Sequence, residues 1–88
     1  MKVQNMKSSK GNTIANQFEI YTETGVYFQS YNSVIAFKPF NGPVQLDHGT
    51  WDYSRTTGKY RNLFLGETKK ETQAKIGNGT YILTDLNN

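Results

Sequence analysis

Cysteine is absent from the 88-residue chain, and histidine occurs once. The first absence excludes disulfides, thiolate nucleophiles and thiolate metal sites together, and it agrees with a reducing compartment. The second leaves His48 without the companion ligands that a structural or catalytic zinc needs. Glycine patterns that cradle phosphate in nucleotide-binding loops are also missing. No apolar run approaches the roughly 20 residues that cross a bilayer as a helix. The opening "MKVQNMKSSKGN" carries charge but lacks the apolar stretch of about seven to fifteen residues found in a secretory signal. The sequon Asn78-Gly79-Thr80 matters only in a secreted chain.

Groups for catalysis are equally scarce. His48 follows Asp47 in "LDHGT", and adjacent side chains on a strand point to opposite faces, so the two do not make a base with its orienting carboxylate. His48 reads instead as a turn residue before Gly49. Asp47 and Asp52 are a carboxylate pair of a kind any chain of this size contains. The expectation is a protein that is not an enzyme, with no cofactor and no metal.

What the chain does have is rings: aromatic residues make up 14%, enough to build a core where few residues are available. One small domain of this length buries about 60–65% of the surface its unfolded form exposes. The pI of 9.2 invites a polyanion partner, but the three lysines Lys2, Lys7 and Lys10 equal the whole net charge of +3. Beyond them, residues 16–53 carry Lys38 against Glu19, Glu23, Asp47 and Asp52. Residues 54–76 reverse the balance, with Arg55, Lys59, Arg61, Lys69, Lys70 and Lys75 against Glu67 and Glu71.

Residues 1–12 are polar and aperiodic and read as a flexible tail, with a single α+β domain over 13–88. In "NQFEIYTETGVYFQSY", Phe18 and Ile20 alternate with Gln17, Glu19 and Tyr21, and after a turn at Thr22–Gly25, Val26 and Phe28 alternate with Tyr27, Gln29 and Tyr31. "SVIAFKPF" is apolar on both sides and ends at Pro39. Asn41-Gly42 marks a turn into the short strand "PVQLD". Ser54 or Thr56 caps a helix bearing Tyr60, Leu63 and Phe64, with Gly58 weakening its first turn and Gly66 ending it. Thr68 and Glu71 form a capping box for a second helix, on which Glu71 and Lys75 are spaced as an i,i+4 pair. "TYILTDL" is a last strand. The predicted architecture is a small antiparallel sheet of four to five strands with two short helices on one face.

Two surfaces are candidates for binding. Tyr21, Tyr27 and Tyr31, with Gln29 among them, fall on one predicted sheet face and suit a protein interface, since tyrosine gives large contact area at low entropy cost; the same rings are core if the helices pack there. Arg55, Lys59, Arg61, Lys69 and Lys70 are the alternative, a nucleic-acid grip, or else a solvated helix face. Single-strand binding couples cations with stacking rings on one surface, whereas Tyr60 and Phe64 are spaced for burial. Trp51, Tyr53, Ser54, Tyr60, Phe64, Gly66, Thr68 and Glu71 are read as structural.

The segments "YFQSYNSVIAF", "VQLD", "WDYSRTTGKYRNLFLGETKKETQAKI" and "GTYILTDLN" together resemble a group of small uncharacterised proteins encoded by bacteriophages and related mobile elements. The likeness spans roughly residues 14 to 87. It centres on Trp51-Asp52-Tyr53-Ser54, Thr56-Thr57, Lys59-Tyr60 and Phe64-Leu65-Gly66. The resemblance implies a phage or prophage origin and action in the host bacterial cytoplasm, and it implies no activity. A phage-type accessory protein that binds a host or phage protein, for example to inhibit host machinery or defence, is the expectation. A nucleic-acid-binding role and a structural or virion role are the alternatives.

Overall fold

Alternating side chains in the first half of the chain build antiparallel strands. The computed structural model, which describes residues 1–87, arranges them in sequence order: β1 (Lys2–Lys7), β2 (Thr13–Tyr21), β3 (Gly25–Ser30), β4 (Ser33–Pro39) and β5 (Gln45–Asp47). Helices α1 (Arg55–Leu65) and α2 (Lys69–Gly77) follow, and β6 (Ile82–Thr84) completes a six-stranded sheet. The fold is α+β as expected, with one strand more than the upper count. Pairing is antiparallel from β1 to β5, while β6 runs parallel to β5. Parallel neighbours cannot be joined by a tight turn. The two helices supply the crossover.

The core lies between the sheet and this crossover. Phe28, Ile35, Ala36 and Leu46 are fully enclosed, joined by Met6, Phe64 and Tyr81. Phe64 of α1 stacks on Phe28 of β3 at 5.6 Å between centroids. Its ring lies 4.2 Å from the Lys38 ammonium, which donates to the Phe64 carbonyl at 2.9 Å. Towards the start of α1, the Ser30 and Thr57 hydroxyls share a buried hydrogen bond of 3.0 Å. The C-terminal ends of β3 and β4 are thus pinned to the same helix.

The helix ends follow the sequence closely. Ser54, in an extended conformation, accepts the Thr57 N–H at 3.1 Å. Gly66 ends α1 at φ +70°, the left-handed region that a Cβ disfavours. Thr68 and Glu71 form the full capping box, worth on the order of 1 kcal/mol. Gly58 lies inside the helix, which starts at Arg55, and is buried beside the Arg61 guanidinium.

The first twelve residues are not a tail. β1 pairs with β2 from Lys2↔Tyr21 to Lys7↔Thr13, and Met6 is buried in the core. An edge strand hydrogen-bonds through its backbone, so it needs few apolar side chains, and β1 offers one anchor where a buried strand would show several. The Glu71–Lys75 pair is also replaced. Glu71 is held by the capping box, and Lys75 reaches Glu67 at 2.7 Å.

Candidate interaction surfaces

Sheet register decides which side chains share a face. Tyr21 pairs with Val26, Ile20 with Tyr27, Glu19 with Phe28 and Gln17 with Ser30. Directly opposed residues point the same way, so Phe28, whose ring meets Phe64, brings Glu19, Gln17 and Tyr21 to the helix side. Phe18 and Ile20 turn to the open side with Tyr27 and Gln29. The expected tyrosine row does not exist. Tyr21 is on the helix face beside Gln4, where burial and the Glu19 charge raise its pKa. Tyr31 is in the β3–β4 turn at φ +55°, half exposed. Tyr27 and Gln29 alone remain together on the open face. The reason is loop length: four residues separate the paired Tyr21 and Val26, which matches odd-numbered with even-numbered positions across the hairpin.

Continuing that register gives one row across the whole sheet: Val3, Ile20, Tyr27, Phe37, Gln45 and Ile82. Beside it run Asn5, Phe18, Gln29 and Val34. None of these ten side chains is charged. Tyr27 and Phe37 stack at 4.2 Å in the middle of the row, and Val3 and Ile82 are about half exposed at its ends, at 55% and 44%. Among the described residues, no helix packs on this face; the helix contacts are made on the other side.

The basic segment is divided between structure and surface. Arg61 is 1% exposed, so it is not a grip for polyanions. Its Nη1 donates to the Trp51 carbonyl at 2.7 Å and to Asp52 at 3.3 Å, and its Nη2 donates to Asn62 at 2.9 Å. The guanidinium carbon lies 5.2 Å from the Trp51 ring centroid. Lys69 binds the other Asp52 oxygen at 2.7 Å. The Lys69 hydrogen bond and the Arg61 guanidinium together hold the Asp52 carboxyl below its ordinary pKa, against the opposing effect of burial. Arg55, Lys59 and Lys70 remain at the surface. A cleft of 430 Å³ at the start of α1 is lined by Arg55, Arg61 and Lys69, with Asp52 and Tyr53 among its walls. Tyr53 is half exposed there. Trp51 and Tyr60 pack at the margin of the core as expected.

A second polar knot fastens α2. Glu67, whose side chain is 4% exposed, accepts from Lys75 at 2.7 Å, Tyr81 at 2.8 Å and Thr72 at 2.6 Å. Burial pushes the Glu67 carboxyl up, but these three donors outweigh it and the net pKa is lowered. Burial and Glu67 together raise that of Tyr81. Asp47 is buried where β5 ends, accepting from Gly49, Thr50 and Leu86, while His48 is exposed beside it. Glu67 and Asp47 are the residues whose importance the sequence concealed, because their partners are up to 39 positions away.

A family model matches residues 1–78, described as a family of unknown function (DUF8033). The chain belongs to that family. The match begins at residue 1 and so takes in β1, in keeping with its place in the sheet, and it ends before β6. No curated protein and no solved structure matches the chain. Among the described residues, no group of three or more His, Cys, Asp or Glu side chains is arranged to hold a metal, and no helix is long and apolar enough to cross a membrane.

Proposed function

We propose that this member of DUF8033 is a non-catalytic module that works by docking on protein through the open face of its sheet. The observation that carries the reading is the uncharged row from Val3 to Ile82, with the stacked Tyr27 and Phe37 at its centre. Interface cores are enriched in rings and depleted of charge, and this row has that composition. The partner it fits is a protein surface that is itself uncharged and apolar at its centre. A charged surface would lose water against this face and find no counter-charge.

The likeness around Trp51-Asp52-Tyr53-Ser54 supports a phage or prophage origin and action in the bacterial cytoplasm, where the docked protein is host- or phage-encoded. Nucleic-acid binding is less well supported, since Arg61 is buried and Lys69 is taken by Asp52. The test is capture from bacterial lysate, with and without nuclease treatment, by wild type, Ile20→Glu and the double variant Arg55→Ala/Lys59→Ala. A protein held by wild type and the double variant but lost with Ile20→Glu is the expected result. Capture indifferent to Ile20→Glu, or material that vanishes with nuclease, overturns the reading.

A further inference from the structure

We infer that the protein docking on the open face is a second copy of this chain, forming a two-fold dimer sheet against sheet; this rests on the reading of that face as a protein-docking surface. In a two-fold interface each residue near the axis meets its own equivalent. A lysine or glutamate there would oppose an identical charge. Amides and phenols escape this constraint, because each carries both a donor and an acceptor and can therefore pair with its own copy. The polar groups of the two rows are Asn5, Gln29, Gln45 and the Tyr27 hydroxyl, all of that self-complementary kind; the charged Lys7 and the buried Asp47 lie beyond the rows, at the ends of β1 and β5. The exposed cations Arg55, Lys59 and Lys70 belong to the helices on the opposite layer, so stacking the sheets keeps them far from their equivalents.

Size sets the strength. Six strands about 4.8 Å apart and some five residues long present roughly 400–500 Å² of projected area per copy. Two copies bury roughly 800–1,000 Å² in total, below the about 1,200 Å² at which stable specific interfaces begin and in the range of weak, transient ones. The dimer is therefore reversible and concentration-dependent, with Tyr27, held from beneath by the buried Phe37, near the axis and the half-buried Phe18 and Ile20 beside it supplying most of its contact. Aligned packing of two twisted sheets brings these central strands together.

Sedimentation of the wild type from low micromolar to near-millimolar concentration is the test, combined with spin labels on Gln29→Cys and Lys59→Cys. The chain has no other cysteine to compete for the label. The expected outcome is a shift from 10.0 kDa to twice that mass, lost in Ile20→Glu, with dipolar broadening at position 29 and none at position 59. A wild type that stays monomeric throughout overturns the dimer, as does a dimer that tolerates Ile20→Glu or shows broadening only at position 59. A monomer that still captures a foreign protein in an Ile20-dependent way leaves the docking face standing and replaces only its occupant. Loss of both results removes the face itself.

Discussion

Replacing Arg61 separates the architectural role of the basic segment from a polyanion-binding one. Arg61→Ala deletes three hydrogen bonds made by a charged donor that is 1% exposed and removes the guanidinium from the Trp51 ring. The Trp51 carbonyl loses its 2.7 Å donor. Breaking a fully buried ion pair costs roughly 3–5 kcal/mol, but Asp52 is 31% exposed and keeps Lys69, so the Coulombic part is discounted for solvent screening. Adding the space left by the side chain, we expect a loss of about 3 kcal/mol. A domain of this size has a total stability of about 4–13 kcal/mol. The melting temperature should therefore fall by about 12–24 °C, measured by circular dichroism with urea unfolding as a second scale. Arg61→Lys should fall between, since an ammonium keeps the charge and loses the fork. Arg55→Ala/Lys59→Ala, both at the surface, should stay within about 0.5 kcal/mol of wild type. An Arg61→Ala protein that melts within a few degrees of wild type, yet loses retention on heparin, would refute the assignment.

Two further perturbations test the frame that holds the open face. A Cβ on Gly25 would sit 2.4 Å from the Lys38 carbonyl and 2.7 Å from Phe37 and Pro39; backbone cannot give way as a flexible side chain would, so Gly25→Ala should cost about 1–3 kcal/mol in urea unfolding, and an unchanged midpoint would contradict the β3–β4 packing. Glu67 has its pKa held below the ordinary 4.5 in the folded chain, so the stability it contributes is complete above that value and drains away as pH falls through the lower folded one. Asp47 and Asp52 shift in the same direction. Thermal melts from pH 7 to pH 2 should show the loss, with a smaller acid slope in Glu67→Gln, and an identical slope would mean that Lys75, Thr72 and Tyr81 do not favour the carboxylate.

Local signals survived folding almost intact. Ser54, Gly66 and the Thr68/Glu71 box mark helix ends because caps act within one turn, between residues three or four apart. Alternation in β2 and β3 is likewise visible at a distance of two residues. The open face was legible only in part: Tyr27 and Gln29 belong to it, but their companions are Phe18, Ile20 and Phe37 in place of Tyr21 and Tyr31. Alternation says which residues share a side of one strand. It does not say which side of the next strand joins them, and an odd or even loop reverses the answer. Arg61 was misread for a related reason. Its charge suggests solvent, while its burial depends on Trp51, Asp52 and Asn62 converging on one guanidinium.

From its composition and patterning alone, the chain was bound to make a single small α+β unit with rings to bury, two capped helices and charges clustered in its second half. Those properties rest on interactions between near neighbours and on transfer of side chains out of water, which every unfolded copy already encodes. Tertiary structure decided the rest: that residues 2–7 complete the sheet, that Arg61 and Glu67 are enclosed, and that among the described residues one sheet face carries two uncharged rows with no helix over them. Each of these depends on pairing register and on contacts between distant segments, and a shift of one residue in a hairpin would have produced the opposite surface.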